Sequence, residues 1–318
     1  MRLAPLLLLA ATAYAGDDPL KLERSIPLEG VKGRIDHLVL APDGNRLVVA
    51  ALGNNTVEIV DLKEGRVVHR IKDIGMPTAG AFVADGLVIA AADDGKLHFF
   101  DNRTYERLRS VEVGADADPV RADGSRLYVG VGEGVIVAVD RGAKTFEIPL
   151  AAHPEGFQLE TKGPRIFVNV PDAQQVAVLD RDKRAVVATW KLDVRDNYPM
   201  ALDEKSGRVL VGCRTPPKLL ALDMRDGSVK ASLDISGDVD DLFLDPATRR
   251  LYASCGEGFL DVIDADKCER VARVVTSKGA RTCLLDTKEG RLFVAAPMQE
   301  KKPAEILVFR TAPQPPRD

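Results

Sequence analysis

A unit of about 40 residues recurs seven times in this chain, and that recurrence constrains the fold more than any single motif. Each unit carries a short apolar run, usually opened by arginine and an aliphatic residue, then a polar turn, then a second apolar run ending in aspartate. The clearest copy is RLVVAALGNNTVEIVDL at 46–62. The openings fall at Arg46, Gly86, Arg126, Arg165, Arg208, Arg250 and Arg291, in steps of 40, 40, 39, 43, 42 and 41 residues. The closing acids are Asp61, Asp101, Asp140, Asp180, Asp223 and Asp264, with Arg310 in the seventh place. The runs are rich in Val, Ile and Leu and bounded by Gly, Asn, Asp and Pro, which makes them strands. Strand-built units at this period predict an all-β, seven-bladed β-propeller of four-stranded antiparallel blades.

The first unit parses into strands A (36–41), B (46–52), C (56–62) and D (66–72), with hairpin turns at Pro42–Asn45, Gly53–Asn55 and Lys63–Gly65. The seventh supplies A (280–286), B (291–297) and C (305–310), then stops in the Pro-rich TAPQPPRD. Its D strand is missing. LKLERSIPL at 20–28 precedes the first A strand and matches the D strands of other units, such as RLRSVEVG and KTFEIPL. The expectation is a ring whose last blade is closed by the N-terminal strand, which removes an open sheet edge.

Met1–Ala15, MRLAPLLLLAATAYA, has one Arg, a short apolar stretch and small residues before Gly16. It reads as a secretory signal peptide over 1–15, followed by one propeller domain over 16–311 and a tail over 312–318. The location expected is periplasmic or secreted, with no membrane span. Net charge is −4, which argues against nucleic acid as a partner. Cys213, Cys255, Cys268 and Cys283 show no CxxC or CxxCH spacing, so neither structural zinc nor covalent haem is signalled. The simplest reading makes them small core residues; if one disulfide forms, Cys255–Cys283 is the pair expected from adjacent units. No GxSxG elbow or phosphate-binding loop occurs.

RLVVAALGNNTVEIVDL, RLYVGVGEGVIVAVD, RIFVNVPDAQQVAVLD and RLYASCGEGFLDVID resemble the YVTN-type repeat, and the whole mature chain resembles bacterial YncE-like seven-bladed propellers. That resemblance implies the fold and export, with no established reaction. A more distant similarity runs to gluconolactonase-like, metal-dependent propeller hydrolases, whose acidic and amide cluster at the channel is not matched here residue by residue.

On such a fold the D-to-A connections and B–C turns share one face around the channel mouth, and ligands sit there because strands elsewhere are consumed by packing. Aligning the units on their openings places Asp36-His37, Met76-Pro77, Asp116-Ala117, Glu155-Gly156, Tyr198-Pro199, Asp240-Asp241 and Arg281-Thr282 in one slot, flanked by Arg34, His153 and Asp238. Its first position is acidic at Asp36, Asp116, Glu155 and Asp240 and varied elsewhere, as an asymmetric ligand would require. Solvated loop ends and turn-capping aspartates would produce some of the same pattern. Three chemistries stand open. Asp116, Glu155, Asp240 and Asp241 could bind Ca²⁺ or Mg²⁺ through oxygen. His37 and His153 could act as acid and base. Arg34 and Arg281 could hold a carboxylate, a phosphate or a peptide end, or simply neutralise the acids.

The reading is an exported binding or interaction module, monomeric, taking a small molecule, peptide or protein at the mouth. The ligand-binding residues are Arg34, Asp36, His37, Asp116, His153, Glu155, Tyr198, Asp240, Asp241 and Arg281. The alternative is a divalent-cation-dependent hydrolase or lactonase using the channel carboxylates.

Overall fold

The computed structural model describes residues 19–311 apart from Asp85 and Glu133; the expected leader and the C-terminal tail lie outside them. Seven sheets of four antiparallel strands form the ring. In each of the first six, consecutive strands A to D neighbour one another, from Leu38–Leu40, Arg46–Ala51, Thr56–Asp61 and Arg66–Ile71 in blade one onward. The seventh is Thr282–Asp286, Arg291–Ala296 and Glu305–Thr311, completed by Leu20–Pro27. That N-terminal strand pairs antiparallel with Glu305–Thr311, from Leu20 opposite Thr311 to Pro27 opposite Glu305. Among the described residues no helix is long and apolar enough to cross a membrane.

The repeated aspartate now has a cause. The Asp61 carboxylate accepts the backbone N–H groups of Lys63 and Glu64, both at 2.8 Å, and so caps the C–D turn. Asp101, Asp180 and Asp264 cap their turns in the same way. Blade seven needs no such turn, because its D strand arrives from the other end of the chain. Its residue in that place, Arg310, instead bonds Glu23 of the closing strand at 2.9 Å.

The B and C strands are buried on both faces, and the D strands are largely exposed. The core is accordingly a series of clusters between neighbouring blades. The one at the seam packs Ile26 and Leu28 against Leu47, Val49, Phe293 and Ile306. All four cysteines are buried free thiols, so the conditional Cys255–Cys283 bridge is not made. Burial lifts the Cys213 thiol to about 12 and lifts Cys283 well above the usual thiol value.

Candidate functional site at the channel mouth

Backbone hydrogen bonds fix which residues face the axis. The N–H of Asp36 donates to Ala50 O at 2.8 Å, that of Asp118 to Gly130 O at 2.9 Å, and that of Glu155 to Asn169 O at 2.9 Å. Ala50, Gly130 and Asn169 hold the same place in their B strands, so Asp36, Asp118 and Glu155 are equivalent. In blade three the inward pair is therefore Asp118-Pro119, where the sequence alignment placed Asp116-Ala117. Blade two shifts likewise. Gly80 lies opposite Ile89 as Leu38 lies opposite Val49, which makes Thr78-Ala79 the inward pair instead of Met76-Pro77.

The cause is turn length. In blade one the inward residue precedes the B-strand opening by ten residues (Asp36, Arg46); in blade three it precedes it by eight (Asp118, Arg126). Blade three pairs Asp123 with Arg126, and blade two pairs Val83 with Gly86, so both A–B hairpins are tight. Met76 and Asp116 belong to the D–A bend. Both have left-handed backbones, φ 49° and 55°, as do Asp196, Asp238 and Gly279 at the corresponding places in blades five, six and seven. Aspartate and glycine tolerate that conformation at low cost.

The inward ring is thus Asp36, Thr78, Asp118, Glu155, Tyr198, Asp240 and Arg281. Side-chain atoms of Asp36, His37 and Asp118 lie within 4.8 Å of one another. His37 Nδ1 is 3.3 Å from Asp241 Oδ1, a contact between blades one and six. Asp241 also accepts the N–H of Cys283 at 2.8 Å. Glu155 and Tyr198 line the same well with Asp240, and the well measures about 40 Å³. That is room for an ion or a few waters and too little for a whole organic substrate.

An arginine collar surrounds the acids. Arg34 reaches Asp36 at 3.2 Å and Asp240 at 3.7 Å. Arg281 pairs with Asp238 at 3.0 Å and approaches Asp240 at 3.8 Å. Arg214, on the B–C face, bonds Asp240, lies 3.4 Å from Asp238 and stacks 3.9 Å over the Tyr198 ring. The arginine reading is therefore answered in one respect: Arg34, Arg214 and Arg281 neutralise the acids of blades one and six. His153 sits between Asp116 and Glu155, at 3.8 and 3.7 Å. The side chain of Asp116 is 62% exposed, so it stands outside the well. Of the four carboxylates considered as metal ligands, Glu155, Asp240 and Asp241 line the well and Asp116 does not.

Burial makes these acids hold protons. It lifts the Asp118 carboxyl to about 7, with Asp36 and Asp240 adding to the rise against His37 and Arg34. It lifts Glu155 to about 8, reinforced by Asp118 and Asp240. Asp36 is raised by burial as well. For His37 burial opposes the charge, but Asp241, Asp36 and Asp118 outweigh it and hold the imidazolium well above its ordinary value. Asp118 and Glu155 hold protons because loss of water and their mutual repulsion outweigh the nearby His37, Arg34 and Arg214.

No protein-family model matches the chain, and no curated protein matches its sequence. A solved structure of hydrazine synthase from Kuenenia stuttgartiensis is similar, with a TM-score of 0.78 and 17% identity over 90% of this chain and 98% of that one. At that identity the likeness speaks for the fold alone, a seven-bladed β-propeller.

Proposed function

We propose that this chain is an exported binding module of the YncE-like kind, cleaved after Ala15, whose ligand presents a positively charged group to the well at the channel mouth. The observation that carries this reading is the convergence of Asp118 and Glu155, carboxyls lifted to about 7 and about 8 in a well of about 40 Å³, with Asp36, also raised by burial, close to Asp118. A cation entering there replaces protons and offsets both the lost hydration and the mutual repulsion that raised them. Asp36, His37 and Asp118 offer oxygen and imidazole donors close enough to share an ion. Oxygen ligands suit Ca²⁺ or Mg²⁺, and the imidazole extends the range to Mn²⁺ or Zn²⁺. His37 must lose its proton before it ligates, so ion affinity rises with pH.

Titration calorimetry with Ca²⁺, Mg²⁺, Mn²⁺, Zn²⁺ and methylammonium, at pH 6 and pH 8.5, tests the reading. Saturable binding that tightens at pH 8.5, releases protons and disappears in Asp118→Asn supports it. Absence of binding to every probe, or binding unchanged in Asp118→Asn, overturns it.

A cation-dependent hydrolase is the second reading. Glu155, with its carboxyl lifted to about 8, lies beside the ion-sharing group as a general base would. Turnover of a simple lactone that depends on added metal and falls in Glu155→Gln would favour it over simple binding.

A further inference from the structure

The channel has a second chamber on the opposite face, between the inner strands of blades three and four. It measures about 330 Å³, and its walls include Arg121, Gln158, Leu159, Thr161 and Arg181. Arg121 and Gln158 line both this chamber and the well at the mouth, so they form the partition between the two.

The charges of this chamber are settled except at one place. Arg181 bonds Asp123 at 2.7 Å and the carbonyl of Glu160 at 2.9 Å. The Glu160 carboxylate is taken by Arg165 at 2.9 Å. Thr161 donates to Glu204 at 2.8 Å, and Gln158 donates to the carbonyl of Met200 at 2.9 Å. Among the described residues Arg121 donates only to the carbonyl of Val120, at 2.9 Å, and lies 5.7 Å over the ring of Phe157. Among the described residues no carboxylate comes within ion-pair distance of it. The acids that act on it, Asp241 and Asp118, belong to the mouth, and Asp241 is already held by His37 and Cys283. Burial accordingly lowers the affinity of this guanidinium for its proton. A guanidinium carries five N–H donors in a planar fork, and a half-buried one without a counter-ion is costly unless something fills the fork.

We infer that this chamber binds a small monocarboxylate, its two oxygens taken bidentately by the fork of Arg121 and its short apolar body lying along Ala122 and Leu159. One negative charge balances the one uncompensated positive charge, which excludes dianions such as phosphate esters as the best fit. A chamber of about 330 Å³ has room for a compact organic acid, which the well of about 40 Å³ has not. Charge-assisted, forked hydrogen bonds to carboxylate are the strong ones, and lysine does not reproduce them.

The test uses the mature chain and benzoate, with benzamide as the neutral isostere. Benzoate should raise the thermal midpoint in proportion to log concentration, and benzamide should leave it unchanged. Arg121→Gln should weaken benzoate at least tenfold, and Arg121→Lys should fall between the two. Glu155→Gln, which alters only the mouth, should leave benzoate binding intact, so this inference fails independently of the proposed function. Equal responses to benzoate and benzamide, or full benzoate binding in Arg121→Gln, would overturn it. Should Arg121→Gln fail to fold, bromide soaked into wild-type crystals decides the matter. An anomalous peak at hydrogen-bond distance from the Arg121 guanidinium supports the site, and its absence there refutes it.

Discussion

Truncating Ile26 to alanine tests whether the N-terminal strand holds the ring together. Ile26 has 0% exposure and packs into the cluster that joins blade seven to blade one. The change removes three carbons, worth about 2.4 kcal/mol of transfer at ~0.8 per methylene. Incomplete collapse of the hole adds on the order of 1–2 kcal/mol, so the loss is about 3–4 kcal/mol. The informative part is where the loss appears. Trp190, the sole tryptophan, lies in the D strand of blade four, well around the ring, 5.5 Å from Phe167. In a closed ring the seam and blade four unfold together, so urea midpoints by Trp190 fluorescence and by far-UV circular dichroism should fall in parallel. Lys21→Ala, exposed on the same strand, should stay within about 0.5 kcal/mol of wild type. A fall by circular dichroism with an unmoved Trp190 transition would mean that blades melt separately and that the seam is only a local contact. Unchanged midpoints by both probes would refute the closure argument outright.

Between about pH 4 and pH 8 the folded chain should bind more protons than the unfolded chain, because Asp118 and Glu155 are lifted to about 7 and about 8. Stability should therefore be greatest at the acid end of that window and fall by at least ~1 kcal/mol as pH rises through it, measured by urea titration; Asp118→Asn should flatten the slope, and a slope of opposite sign would contradict the site electrostatics. Asp203, 1% exposed, is shared by Arg208 and Arg249, so Asp203→Ala should cost about 3–5 kcal/mol in chemical denaturation. The double variant Asp203→Ala with Arg249→Met should recover part of that loss, since the more deeply buried guanidinium is then removed and Arg208 still has Asp266 at 3.7 Å. The four buried thiols should react with a disulfide reagent only as fast as the protein opens, and a fast-reacting fraction in native buffer would show that one of them is accessible.

The ring was legible because its cause is repetitive. Every blade needs the same apolar B and C strands, so the period of about 40 is written seven times over and the closing aspartate six, five of them capping the C–D turn. The seam was legible for the same reason, as a D strand displaced to the other end of the chain. Individual site residues were less so. Anchoring on the B-strand opening assumes a constant A–B turn, and blades two and three shorten theirs. That alignment therefore puts Met76 and Asp116, which form the bend, in the places that Thr78 and Asp118 occupy. The signal was present in the lettering: ADGSR in blade three leaves less room for a turn than LAPDGNR in blade one. Arg121 left no such trace, since a lone arginine in an A strand looks like any solvated one until the strands of blades three and four are set side by side.

The corrected ring sharpens the case for function. With Thr78 and Asp118 in place, the inward position holds three aspartates, a glutamate, a threonine, a tyrosine and an arginine, all at the same register of the same strand. Blade packing does not demand this variety, because the B-strand residues that face it are small in six blades (Ala50, Ala90, Gly130, Gly212, Ser254 and Ala295), with Asn169 in the other. It also works against stability, since burial raises Asp36 and lifts Asp118 and Glu155 to about 7 and about 8. A seven-fold scaffold that varies at the axis in a direction that costs folding energy is what the proposed binding role would require.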